Sequence, residues 1–133
     1  MKTRYAMVAL ARLARDFGKG PVHIKTIATE EKIPLSFLEN ILLELKKTGI
    51  LGSKLGKTGG YYLKKDPVDV SLADIIRLYE GSIALMYCVA EDSYHPCEFC
   101  KDELTCGIRN IFKEIRDTTN SILSRTTLAK LTE

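Results

Sequence analysis

The apolar positions in the first third of the chain recur at helical spacing. Residues 5–17 form one apolar stripe that stops at a Gly-Lys-Gly-Pro sequence, which predicts an amphipathic helix with a glycine stop. A second, short helix is predicted from about His23 to Lys32, where Ile33-Pro34 interrupts it. Because proline suits the first turn of a helix, a third helix is predicted from Pro34 to about Thr48. Two helices joined by a tight turn indicate a helix-turn-helix.

The pattern changes period after the third helix. Two short runs, 50–55 and 61–64, flank the glycine-rich basic sequence Gly56-Lys57-Thr58-Gly59-Gly60, which predicts a β-hairpin. Ser71, followed three residues later by Asp74, has the spacing of a capping box and predicts a fourth helix that ends at Gly81.

The last third of the chain carries an isoleucine-rich stripe from about Gly107 to Thr127. A helix of this length is more than one small domain easily covers, and a dimer-forming helix explains it. The fold class is therefore expected to be mainly α with a small β-hairpin wing. Its organisation is a winged helix-turn-helix over 1–81, a cysteine-rich sensor loop over 82–106, and a dimerisation helix with its tail over 107–133.

Length and composition restrict the function. The chain has 133 residues, a size that suits one domain and leaves no room for a two-domain enzyme with a cleft. Its longest apolar run, Ile83 to Ala90, is too short for a membrane span, and its start is neither a signal sequence nor a transit peptide, so a cytoplasmic protein is expected. Catalysis has no support, since there is no Ser-His-Asp arrangement, no phosphate loop and only two distant histidines.

The charge is divided between the two halves. Residues 1–65 hold 13 of the 20 Lys and Arg and five of the 17 acids, a net charge of +8, whereas residues 66–133 have a net charge of −5. A basic half with a helix-turn-helix and a wing favours double-stranded DNA as the partner. The alternatives are a merely solvated basic face and a winged domain that binds a protein.

The predicted DNA contacts lie on the third helix and on the wing. Four outward residues come early enough in the helix to touch bases, namely Ser36, Phe37, Glu39 and Asn40. A second group is expected mostly at phosphates, and comprises Lys46, Lys47, Ser53, Lys54 and Lys57. Three further wing residues complete the predicted set: Thr58, Gly59 and Tyr61.

Several sequences, in order and at matching spacing, resemble the Rrf-type winged-helix regulators, the family of IscR, NsrR and CymR. They are Arg4-Tyr5-Ala6, the stretch from Ile27 through Phe37-Leu38-Glu39 to Gly49, Gly56 to Tyr61, Ser71 to Gly81, and Cys106-Gly107-Ile108-Arg109. The resemblance implies a homodimeric transcription factor that reads a partly palindromic operator. In many members the cysteine loop carries an iron-sulfur cluster.

All four cysteines fall within nineteen positions of a chain that otherwise looks intracellular, which points to metal or redox chemistry rather than disulfides. By resemblance, Cys88, Cys100 and Cys106 occupy the family's three positions, and Cys97 is an extra. Relatives complete the ligand set with a histidine or an acid where this chain has Arg109 or Arg4, and neither arginine can ligate. Cys97 is therefore the expected fourth thiolate of a 2Fe-2S or 4Fe-4S cluster.

Other interpretations of the cysteines stay open. Cys97-x-x-Cys100 could be the near pair of a structural zinc site, or a dithiol that forms a disulfide on oxidation. Four buried, inert cysteines are disfavoured because the surrounding sequence is too polar for a core. Our hypothesis is that the state of the cluster changes the relative placement of two recognition helices in a homodimer. The competing hypothesis is an interaction module that docks a protein partner such as a metabolic enzyme.

Overall fold

A computed structural model of the chain describes residues 2–81, 85, 89–90 and 106–132. The calls on Cys88, Cys97 and Cys100 lie outside the described residues. The described elements, in chain order, are α1 (Lys2–Arg15), α2 (Ile24–Glu31), α3 (Leu35–Lys47), β1 (Leu51–Lys54), β2 (Gly60–Leu63), a 3-10 turn (Pro67–Asp69), α4 (Leu72–Glu80), α5 (Gly107–Arg125) and α6 (Leu128–Leu131). This architecture confirms the mainly helical fold with a small hairpin.

The helix-turn-helix is delimited by local interactions. The Nδ1 atom of His23 accepts a hydrogen bond from the amide of Lys25 at 3.2 Å and caps the start of α2. At the other end Lys32 adopts a left-handed conformation with φ of 55°, and its amide donates to the carbonyl of Ala28. Because the chain leaves the helix there, Pro34 can stand directly before α3 without breaking a helical hydrogen bond.

The hairpin is joined to the segment before α2. Strands β1 and β2 are antiparallel, with Leu51 opposite Leu63 and Lys54 opposite Gly60. Beside β2, the amide of Val22 donates to the carbonyl of Tyr61 at 2.8 Å, and the amide of Tyr61 donates back at 2.9 Å. The base of the wing is therefore held by backbone hydrogen bonds on both sides of β2.

Helix α4 has the capping box that the sequence predicts. The Ser71 hydroxyl accepts from the Asp74 amide at 3.2 Å, while the Asp74 carboxylate accepts from the Ser71 amide at 3.1 Å. The helix ends at Gly81, whose amide donates to the carbonyl of Arg77. The predicted start and stop of this helix are both confirmed.

The hydrophobic core lies between α1, α2 and α3. Its fully buried side chains include Leu10, Leu13, Ile27, Leu38, Ile41, Leu42 and Leu45. The expectation that Phe17 points inward is wrong, because α1 ends at Arg15 and Phe17 lies in the following turn, where helical periodicity no longer applies. The core therefore connects the three helices that position the candidate DNA-binding surface.

The C-terminal segment returns to the N-terminal domain after α5. The amide of Leu72 donates to the carbonyl of Thr126, and the amide of Leu128 donates to the carbonyl of Val70, both at 2.9 Å. Leu128 is fully buried in the same core as α1. Residues 126–131, which sequence analysis groups with the dimerisation helix, thus pack on the winged domain.

Candidate nucleic-acid interface

Helix α3 presents a polar face to solvent along its whole length. Its buried side carries Leu38, Ile41, Leu42 and Leu45. The predicted contact residues on the helix are all exposed: Ser36, Phe37, Glu39, Asn40, Lys46 and Lys47. A helix in the major groove reaches base edges with such outward side chains, and its N-terminal residues enter the groove first.

The first turn of α3 contains an apolar ring that does not enter the core. The side chain of Phe37 is 55% exposed, and it lies against Tyr5 on α1 with ring centroids 6.3 Å apart and planes inclined by 37°. Tyr5 in turn packs against the core. The position of Phe37 is thus supported from α1 as well as by its own helix.

The tip of the wing is exposed and cationic. Lys54, Lys57 and Thr58 are exposed and Ser53 is half-buried. Leu55, at 94% exposure, is the most solvent-accessible large apolar side chain described here. A leucine at the tip offers no hydrogen bond to phosphate, so the lysines beside it are the groups suited to the DNA backbone.

Gly59 and Tyr61 have structural roles in the wing. The amide of Gly59 donates to the carbonyl of Gly56 at 3.0 Å, and a β-carbon at Gly59 would overlap the carbonyl of Lys54. Tyr61 is half-buried against the core. These hydrogen bonds and packing shape the tip, and DNA contact by either residue stays a prediction.

The positive charge of the surface is largely uncompensated. In the described part of the chain, none of Lys46, Lys47, Lys54 and Lys57 forms an ion pair. The carboxylate of Glu44 on α3 is paired with Lys2 at 2.7 Å. Four unpaired ammonium groups on one helix end and one hairpin suit a polyanion, because each contact releases a counterion from DNA.

The start of α1 braces α3 against the end of α4. Lys2 pairs with Glu44 on α3, and the Thr3 hydroxyl donates to the Glu80 carboxylate at 2.6 Å. Beside them, burial and the negative charge of Glu44 raise the pKa of Tyr79 to about 12. The last turn of α4, directly before the cysteine segment, is therefore in contact with the recognition helix through named side chains.

Cys106 lies at the other end of the cysteine segment, as the N-cap of α5. Its Sγ accepts a hydrogen bond from the amide of Arg109 at 3.4 Å, and the residue is half-buried. The Nε atom of Arg109 is buried and has no hydrogen-bond partner among residues 2–81, 85, 89–90 and 106–132. An anionic group on Cys106 would meet these donors, so this end of the segment fits a thiolate-held cluster.

Helix α5 leaves an apolar stripe exposed. Its exposed isoleucines are Ile108, Ile111, Ile115 and Ile122, at 64%, 59%, 40% and 46% exposure. They follow the a and d positions of a heptad pattern. The opposite side is attached to the domain, where Arg77 donates to Asn120 at 2.5 Å and Arg116 donates to the carbonyl of Val89 at 2.8 Å.

The family model described as "Rrf2: Iron-dependent Transcriptional regulator" matches residues 1–133. The chain belongs to the Rrf2 family. It is 41% identical over 117 residues to an rrf2-like HTH-type transcriptional regulator of Rhodobacter capsulatus, with 86% of this chain and 78% of the relative covered. It is 36% identical over 118 residues to CymR of Bacillus subtilis, with 89% and 82% covered.

Solved structures of the Rrf2 family share the fold. The structure of CymR, the global cysteine regulator of B. subtilis, matches with a TM-score of 0.82 at 32% identity, covering 99% of this chain and 93% of that one. IscR of T. potens matches with a TM-score of 0.76 at 27% identity, covering 98% and 82%. The chain is accordingly a winged-helix transcriptional regulator and not an enzyme. No helix among its described residues is long and apolar enough to cross a membrane.

Sequence reasoning missed two residues of the Rrf2 recognition surface. Tyr5 counts as a core residue by periodicity, yet it is half-buried and supports Phe37. Leu43 is 47% exposed on the outward face of α3. Its position seven residues after Ser36 was the available signal, because two turns of helix bring a side chain back to the same face.

Proposed function

We propose that this Rrf2-family regulator binds an operator as a homodimer through α3 and the wing, and that a cysteine-held iron-sulfur cluster controls its affinity. The single observation that carries the DNA-binding part is the set of unpaired lysines around the exposed residues of α3. The partner is a double-stranded DNA operator, so the protein would work in the cytoplasm. Repression is the mode of regulation that we expect.

The proposed cluster ligands are Cys88, Cys97, Cys100 and Cys106. The family's description as iron-dependent and the surroundings of Cys106 support this assignment. A 2Fe-2S or 4Fe-4S cluster would supply a redox-sensitive, oxygen- or nitric-oxide-sensitive group at the junction between α4 and α5. The contacts of Lys2 and Thr3 offer a route from the end of α4 to α3.

A second candidate function follows from the similarity to CymR, which exceeds the similarity to IscR in identity, 36% against 28%. In this alternative the chain is a cluster-free thiol switch or a structural-zinc regulator that acts through a protein partner. The same four cysteines would then form a disulfide or hold zinc. The two functions share the DNA-binding surface and differ in what the cysteine segment carries.

The test is anaerobic purification followed by an absorption spectrum and by iron, sulfide and zinc analysis of the same sample. We expect near-equal iron and sulfide with broad visible absorption. Zinc alone, or reversible thiol oxidation without metal, would replace the cluster with the second candidate. Two variants separate the activities: Cys106→Ser should lose iron, whereas Lys57→Ala should keep iron and bind duplex DNA more weakly. Normal iron content in Cys106→Ser would remove Cys106 from the ligand set.

A further inference from the structure

Phe37 occupies an unusual position for a phenylalanine. It is the third residue of α3, its side chain is 55% exposed, and its neighbours on the outward face are polar, with Ser36, Glu39 and Asn40 all exposed. An isolated exposed apolar side chain is ordinary on a protein surface. Here, however, the ring lies at the end of the helix that enters the DNA groove under the proposed function.

The ring of Phe37 is held in place from outside its own helix. The Tyr5 ring contacts it at a centroid distance of 6.3 Å, in the tilted arrangement that aromatic pairs favour. Tyr5 is itself packed against the core through α1. The phenyl group is therefore presented at the edge of the outward face in a restricted orientation, and binding would order it at little cost in conformational entropy.

The chemistry of a phenyl group narrows what it can recognise. The ring has no hydrogen-bond donor or acceptor, so it cannot pair with a base edge or bond to a phosphate as Asn40 or Lys57 can. In the major groove the apolar group presented by a base pair is the 5-methyl group of thymine. Burying that methyl against an exposed ring removes apolar surface of both groups from water.

We propose that Phe37 reads thymine by packing its ring on the 5-methyl group in the major groove, with Tyr5 as its positioning residue. The inference rests on the proposed function, because it requires α3 to enter that groove. Asn40 and Glu39, one turn further along the outward face, have the hydrogen-bonding groups suited to adenine and cytosine. Phe37 would add selectivity for a base that these polar side chains do not specify.

The test uses the full chain and a duplex selected by it from a random pool. Each thymine of the selected duplex is replaced in turn by deoxyuridine, which removes only the 5-methyl group. We expect replacement of one thymine in each half-site to weaken wild-type binding roughly fourfold, the value for one buried methyl group. Phe37→Ala should bind the thymine and deoxyuridine duplexes equally. Leu43→Ala, the matched control on the same helix, should keep the wild-type discrimination.

The outcomes separate this inference from the function on which it rests. If no duplex is enriched by the protein, the proposed function is overturned and the inference goes with it. If a duplex is enriched but no deoxyuridine replacement weakens binding, the function stands and thymine reading by Phe37 is overturned. Discrimination that persists in Phe37→Ala, or that disappears in Leu43→Ala alone, would assign the methyl contact to another residue. Since the replacements change only the DNA, the wild-type result does not depend on how well a variant folds.

Discussion

The ring of Tyr5 on α1 lies 6.3 Å from the ring of Phe37 on α3, centroid to centroid. This contact joins the first helix of the chain to the N-terminal turn of the recognition helix. A second link between the same two helices is the ion pair of Lys2 with Glu44. The orientation of α3 therefore depends on α1 at two points along its length.

Replacing Tyr5 with leucine tests the first of these links. The variant keeps an apolar side chain against the core but loses the ring contact, so we expect the free energy of unfolding to fall by about 1 kcal/mol. Affinity for the selected duplex should fall severalfold, because Phe37 loses its support. Urea unfolding and DNA titration measure the two effects. Unchanged DNA affinity would show that Phe37 needs no help from α1.

The wing lysine Lys57 tests the electrostatic contribution to binding. Because it is exposed at the tip and unpaired, Lys57→Ala should weaken binding similarly for specific and random duplexes. The slope of log affinity against log salt should become shallower by about 0.9 for one lost phosphate contact. Lys130→Ala on α6 is the control with the same charge change and should leave the slope unaltered. A slope equal to that of the wild type would exclude Lys57 from the interface.

The apolar stripe of α5 tests the proposed homodimer. Ile115 is 40% exposed, and a buried, unpaired carboxylate in a helix-helix seam is strongly unfavourable. Ile115→Glu should therefore shift the solution mass, measured by light scattering, from dimer to monomer. Lys113→Glu, on the same helix but outside the isoleucine stripe, should remain dimeric. A monomeric wild type, or a dimeric Ile115→Glu, would contradict the assignment of α5 as the dimer interface.

Arg12 tests how α1 is held to α2. Its guanidinium bonds to Glu30 at 2.5 Å and to Asp16 at 2.6 Å, and its side chain is only 14% exposed. The Glu30 and Asp16 carboxylates raise the pKa of Arg12 further above its high ordinary value. Arg12→Met should lower the free energy of unfolding by about 1–2 kcal/mol. Lys2→Met, which breaks an exposed pair, should cost less than about 1 kcal/mol in the same urea titration.

Tyr79 predicts an alkaline weakening of the fold. Burial and then Glu44 raise its pKa to about 12, above the ordinary value of about 10. The folded state thus holds the proton more tightly than the unfolded state, and the associated stability is present below about pH 10 and lost as the pH rises through about 12. Tyr79→Phe should lose less stability than the wild type between pH 9 and pH 11.5. Equal losses would contradict the raised pKa.

Tyr79→Phe is also informative at neutral pH. The hydroxyl of Tyr79 is buried and has no hydrogen-bond partner in the part of the chain that the structure describes. Removing an unsatisfied buried hydroxyl is expected to be neutral or stabilising, by up to about 1 kcal/mol. The variant therefore provides a folded reference for the alkaline measurement.

Local sequence determined the helix boundaries and the hairpin. The capping box of Ser71 and Asp74 and the stop at Gly81 each depend on groups within four residues of one another, so spacing alone predicts them. The exposed set on α3 follows from helical periodicity for the same reason. The resemblance to the Rrf-type regulators also came from the order of these short motifs.

Only the tertiary structure decided the contacts between distant segments. Neither the backbone pairing of Val22 with Tyr61 nor the burial of Leu128 in the winged-domain core has a signature in local periodicity. Both depend on which surfaces meet after the chain has folded. The contact of Tyr5 with Phe37 is of the same kind, because a half-buried ring on one helix and an exposed ring on another become a pair only when the core fixes the two helices side by side.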